Sequence, residues 1–85
     1  MTINLSGGEI AELEKQNPAT ASDGGYQNFL VQLGNRCDRA TGELILSISD
    51  LERIPRYAFD YGNGGWEERL RNIFGRSLGA NLGRK

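Results

Sequence analysis

An approximate internal repeat constrains this 85-residue chain more than any other feature of its sequence. Asp23-Gly24-Gly25-Tyr26-Gln27, then Leu30, Leu33 and Arg36, recurs as Asn63-Gly64-Gly65-Trp66-Glu67, then Leu70, Ile73 and Arg76, at an offset of 40. Leu5-Ser6, Glu9-Ile10 and Leu13 recur as Leu46-Ser47, Asp50-Leu51 and Ile54, at an offset of 41. Each half reads as strand, capped short helix, loop, Gly-Gly-aromatic and amphipathic helix. A half alone cannot cover its apolar face, so the units 2–41 and 43–82 should complete one another in a single domain. The expected fold class is α+β: a small two-stranded sheet packed with about four helices, with a pseudo-twofold relation between strand-helix-helix units. The Ile3–Leu5 and Leu44–Leu46 strands should lie in one sheet.

Local signals place the elements. Ser6-Gly7-Gly8-Glu9 has the form of a capping box, in which Ser6 accepts from the Glu9 amide and Glu9 reaches back. The helix it opens should run from Gly7 to Gln16 and stop at Asn17-Pro18, because proline disfavours helix at the preceding residue. Ala19 to Gly25 reads as a loop. Tyr26, Phe29, Leu30, Leu33 and Cys37 follow helical spacing and predict a buried stripe on a helix over Gly24–Arg36, with Ser22 or Asp23 as N-cap. Gly34 inside it costs about 1 kcal/mol against alanine, which suggests a close helix contact there. Glu43 to Ser47 alternates as a strand, and Ser47-Ile48-Ser49-Asp50 repeats the capping box. Pro55 lacks the amide for a mid-helix bond, predicting a turn up to Arg53 and a new helix from Pro55 to Tyr61. Trp66, Leu70, Ile73 and Phe74 form the stripe of a last helix, Trp66 to Gly75, followed by a glycine-spaced tail that Leu78 and Leu82 tie down.

Composition excludes several chemistries. The chain has no histidine, so histidine-based dyads and triads are impossible and zinc would find a poor ligand set. Cys37 is alone, which rules out an internal disulfide and fits a reducing compartment. On the buried stripe it reads as a small core residue rather than a reactive thiol. No apolar run is long enough to span a membrane and no leader pattern is present, so the expected location is the cytoplasm. The net charge of −1 is unevenly spread. Residues 1–52 carry three basic against eight acidic side chains, a net −5, and residues 53–85 carry seven against three, a net +4. Such polarity raises the question of an acidic or nucleic-acid partner, against the plainer reading of solvated faces.

Three constellations bear on function. Asn63-Gly64-Gly65 ahead of a helix, with Arg69 one turn in, can expose amides to an anion. It lacks a Walker lysine and a preceding strong strand, and a tight turn seating Trp66 explains it as well. Asp60, Glu67 and Glu68 can approach one another as an acid-base set, but helix-start preference accounts for the two glutamates without chemistry. Tyr57, Phe59, Tyr61 and Trp66 are interleaved with Arg53, Arg56, Arg69 and Arg71, a composition that suits base stacking or a protein interface. Trp66 is expected in the core. Arg56, Phe59 and Arg69 lie off the apolar stripes and, with Arg71, are the expected partner-binding residues. The acidic edge Glu9, Glu12 and Asp23 is the second expected binding face, a decoy for phosphate.

The run Arg56 to Leu70, continuing through Ile73-Phe74-Gly75-Arg76, resembles small uncharacterised proteins carried by bacterial phages and prophages. The resemblance covers the second half well and the first half loosely, and carries over no site residues. It implies a context in which short acidic proteins occupy the surface of a host protein. The first expectation for function is therefore a non-enzymatic protein-binding module, a phage-encoded inhibitor of a host defence or nucleic-acid enzyme, with no cofactor and no metal. The alternative is a nucleic-acid-binding accessory protein using the arginine-rich second half, and the third a small enzyme.

Overall fold

The structure, a computed structural model, describes all 85 residues. Its order is β1 (Thr2–Asn4), α1 (Gly7–Glu14), a 3-10 turn (Pro18–Thr20), α2 (Gly25–Arg36), β2 (Glu43–Ile45), α3 (Ile48–Phe59) and α4 (Gly64–Leu78). The strand-helix-helix unit thus occurs twice, and the fold is the expected α+β with a two-stranded antiparallel sheet.

The sheet register carries the relation between the halves. Ile3 pairs with Leu44, its own counterpart at offset 41, as an antiparallel pair centred on a twofold axis requires. The flanking bonds exchange under the same offset: Leu5 N–H donates to Gly42 O at 2.8 Å, and Leu46 N–H to Met1 O at 2.7 Å. Gly42 has φ +77°, and a Cβ there would sit 2.1 Å from the Leu5 carbonyl oxygen, so this close approach needs glycine.

Both capping boxes form. Ser6 accepts from Glu9 N–H at 3.3 Å and Glu9 accepts from Ser6 N–H at 2.8 Å. Ser47 and Asp50 repeat this at 3.1 and 2.8 Å. Each box is completed by an arginine from the other half. Arg76 donates to Glu9 at 2.8 Å and to Asn4 O at 2.6 Å. Arg36 donates to Asp50 at 3.0 Å and to Ile45 O at 3.4 Å. Arg36 and Arg76, Asn4 and Ile45, and Glu9 and Asp50 are all counterparts. Of the acidic side chains in residues 1–52, Glu9 thus meets an arginine of the basic segment, and Glu12 approaches another, Arg69, at 4.0 Å.

The core lies between the inner face of the sheet and the four helices. Leu13, Leu30, Leu33, Leu44, Leu46, Ile54, Leu70, Ile73 and Phe74 are fully buried within it. The stripe Tyr26, Phe29, Leu30, Leu33 and Cys37 is buried throughout.

Several boundaries differ from the sequence expectations. Both strands end before Leu5 and Leu46, whose side chains are nonetheless buried. α2 is capped by Gly24, without a side-chain cap, rather than by Ser22 or Asp23. Nothing lies within 4 Å of a Cβ built on Gly34, so no close helix contact explains that glycine. α3 is one continuous helix through Pro55 instead of a turn and a second helix. Ile54, Pro55 and Ala58 are all buried on one side, and their burial offsets the bond that Pro55 cannot make. α4 runs through Gly75 and ends at Gly79, whose φ of +91° supplies the stop.

Candidate functional site

The Gly-Gly-aromatic motifs bring counterpart rings face to face. Tyr26 and Trp66 stack with centroids 4.2 Å apart and planes 10° off parallel. Gly25 permits the neighbouring contact: a Cβ there would lie 2.6 Å from the Tyr57 hydroxyl oxygen. Tyr57 meets Tyr26 edge-on at 5.7 Å and stacks with Tyr61 at 5.4 Å. Tyr61 in turn meets Trp66 edge-on at 5.7 Å. The aromatic set thus grades from buried Tyr26 and Phe29, through half-buried Tyr57 and Trp66, to Tyr61, which is 57% exposed. Trp66 packs against the core without being enclosed by it, a correction to its expected core position.

Arginines surround this set unequally. Arg71 and Arg84 lie over the Phe59 ring at 5.1 and 5.6 Å. Arg71 also pairs with Glu67 at 3.0 Å and donates to Ala80 O at 2.7 Å. Arg84 grips both carboxylate oxygens of Asp60, at 2.8 and 2.9 Å, and holds that carboxyl below its usual range. Phe59 is therefore a half-buried platform for the C-terminal tail, and Arg71 a clamp on it. Arg69 points elsewhere, donating to Gln16 at 2.8 Å on the α1 side. Two residues apart on a helix is a rotation of about 200°, so Arg69 and Arg71 cannot share a face.

On the acidic edge, Glu9 is buried in its capping box, and its Arg76 bond, against the effect of burial, lowers its pKa. Lys15 does the same for Glu12. Of the seven expected binding residues, only Arg56 and Asp23 keep side chains free of hydrogen bonds, ion pairs and ring contacts. Arg56 has an unpaired neighbour that the expected set left out. Arg53, one turn earlier on α3, makes no ion pair and lies over Phe29 at 5.8 Å. Residues 53, 56 and 57 are adjacent on a helix surface, and Tyr61 follows just beyond its end. Sequence spacing singles out these residue types and the local Glu67–Arg71 pair, whereas the carboxylates that Arg76 and Arg84 meet come from distant segments.

Among the carboxylates considered for acid-base work, Asp60 and Glu67 are each taken by a different arginine. No three of the Cys, Asp and Glu side chains converge as metal ligands. No helix is long and apolar enough to cross a membrane.

Neither a protein-family model, nor a curated protein, nor a solved structure matches the chain. The free cationic and aromatic groups on α3 and at its exit provide ring faces and guanidinium donors without a folding role for Arg56. They suit recognition of a surface, where tyrosine and arginine anchors dominate affinity.

Proposed function

We propose that this protein is a non-enzymatic binding module that engages a partner protein through Arg53, Arg56 and Tyr61. The observation carrying this reading is that Tyr61 is 57% exposed while Arg53 and Arg56, on the helix that leads to it, have no carboxylate partner. A tyrosine supported from behind by Tyr57 and Trp66 is held in place and loses little entropy on binding. The arginines select a partner that offers carboxylates or carbonyls around a shallow apolar pocket. The resemblance of the second half to phage and prophage proteins supports a host protein as that partner, and inhibition of a host defence or nucleic-acid enzyme as the outcome.

The test is affinity capture with the parent and with the triple variant Arg53→Ala, Arg56→Ala, Tyr61→Ala. Thermal melting should change little for Arg56→Ala, since exposed substitutions act within about 0.5 kcal/mol. Tyr61→Ala should cost about 1 kcal/mol, the worth of an aromatic pair, and leave the domain folded. Capture of a specific protein should fall at least about tenfold in the triple variant, the effect of losing one hot-spot side chain. Undiminished capture places the binding face elsewhere. If nucleic acid is captured instead, with affinity falling steeply as salt rises, the accessory-protein reading replaces this one.

A further inference from the structure

The first turns of α2 and α4 meet at an open cavity of about 340 Å³, lined by Gln16, Tyr26, Gln27, Gly65, Trp66 and Arg69. Both helices bring their N-terminal ends to it, where the peptide dipoles are positive. α2 has no side-chain cap, and the Asn63 side chain takes only the Trp66 amide, at 3.0 Å. The Gly64 and Gly65 amides have no acceptor within the protein, nor do those of Gly25, Tyr26 and Gln27.

Tyr26 supplies an independent observation. The residue is 4% exposed, yet its hydroxyl has no hydrogen-bond partner. An unpaired buried hydroxyl costs about 1–3 kcal/mol, and phenylalanine would stack on Trp66 without that cost. Burial pushes the phenol pKa up while nearby Arg69 opposes it, so the group is a donor at neutral pH. The Arg69 guanidinium spends its bond on the neutral Gln16 amide at 2.8 Å. Glu12 approaches it only to 4.0 Å, being held by Lys15 at 2.8 Å. Arg69, Tyr26 with its acceptor-less phenol, and Gly65 and Gln27 with their free first-turn amides therefore lie at one cavity.

We propose that this cavity binds a phosphate group, with Arg69, the Tyr26 hydroxyl and the first-turn amides of α4 as its donors. A phosphate oxygen is a stronger acceptor than the Gln16 amide and would take Arg69 from it. The Gln16 side chain keeps a bond of its own, donating to Thr20 at 2.6 Å, and moves aside on that tether. This site is separate from the Arg53–Arg56–Tyr61 face and does not depend on it.

Inorganic phosphate is the probe, titrated into the intact protein against chloride at matched ionic strength. The expected result is a saturable shift of the Gly64 and Gly65 amide resonances and of Trp66 fluorescence, which chloride does not reproduce. Arg69→Gln should abolish it and Arg69→Lys should retain part. Tyr26→Phe, which keeps the ring stack, should weaken phosphate binding about fivefold to tenfold, the equivalent of one hydrogen bond. Without phosphate, the same variant should melt no lower than the parent. A response that chloride reproduces overturns the site, as does a folded Arg69→Gln protein that binds phosphate like the parent. If Arg69→Gln does not fold, Tyr26→Phe decides: undiminished binding overturns the proposal.

Discussion

Glu9 and Asp50 show how one side chain serves two levels of structure. Each closes a capping box within its own half and accepts an arginine from the other half. For Glu9 the Arg76 hydrogen bond leads in lowering the pKa, with burial opposing. For Asp50 burial is the largest influence and raises it, but Arg36 and the Ser47 donors together outweigh it. A carboxyl whose folded pKa is depressed stabilises fully above its unfolded pKa, and that stability is lost as pH falls through the folded value. Melting temperature should therefore be nearly flat from about pH 5 to 8, with no histidine to titrate there, and should drop below about pH 4. The double variant Glu9→Gln, Asp50→Asn should melt lower at neutral pH, each change costing about 1 kcal/mol as a cap does, and should show a shallower acid decline. Thermal melts of both proteins across pH 2.5 to about 8 measure this. An unchanged acid slope would assign the acid sensitivity to Glu12 and Asp60 instead, whose pKa values are also lowered.

Helices α2 and α4 differ in how well their local sequence suits them. Gly34 sits inside α2 with helical backbone, half-buried, and with open space where a Cβ would go. Alanine there should stabilise the domain by about 1 kcal/mol, the helix-propensity difference, read as a higher denaturation midpoint with unchanged slope. A loss of stability would show that the space is closed by motions of Leu13 or Pro18, which line the adjoining groove. The tail after α4 works in the opposite sense. Leu82 has φ +52°, an unfavourable conformation for leucine, yet its side chain is fully buried. Its burial, with the Arg84–Asp60 grip, outweighs that local strain and anchors a glycine-spaced segment.

The whole molecule is two interlocked units rather than two independent ones. Each strand finds its only partner in the other half, and each capping box takes its arginine from there. The α1·α4 packing and the Tyr26–Trp66 stack also join the halves. Fragments 1–41 and 42–85 should each be largely unfolded alone, because a chain of about forty residues leaves too much apolar surface uncovered. Mixed at high concentration, they should recover helical circular dichroism and a cooperative melt. A fragment that melts cooperatively by itself would show that one half is the folding core and the other an appendage.

Local chemistry was readable in the one-dimensional chain. Both capping boxes, the stripe of α2 and the order of the elements follow from spacing and hydrogen-bonding preference, which act over a few residues. The α+β class and the shared sheet followed because two copies of one pattern each lack a cover for the apolar face. The span of α3 was not readable, because burial of Ile54, Pro55 and Ala58 by distant segments overrides the local penalty of proline. The state of the surface was still less so. Arg56 and Arg69 look alike in sequence, yet one is free and the other meets Gln16, 53 residues away. Tyr26 and Trp66 occupy equivalent places in the repeat and stack on each other, yet one is buried and the other half-buried, a difference that the surrounding tertiary packing sets. Such outcomes rest on long-range contacts, and chain closure rather than local preference selects them.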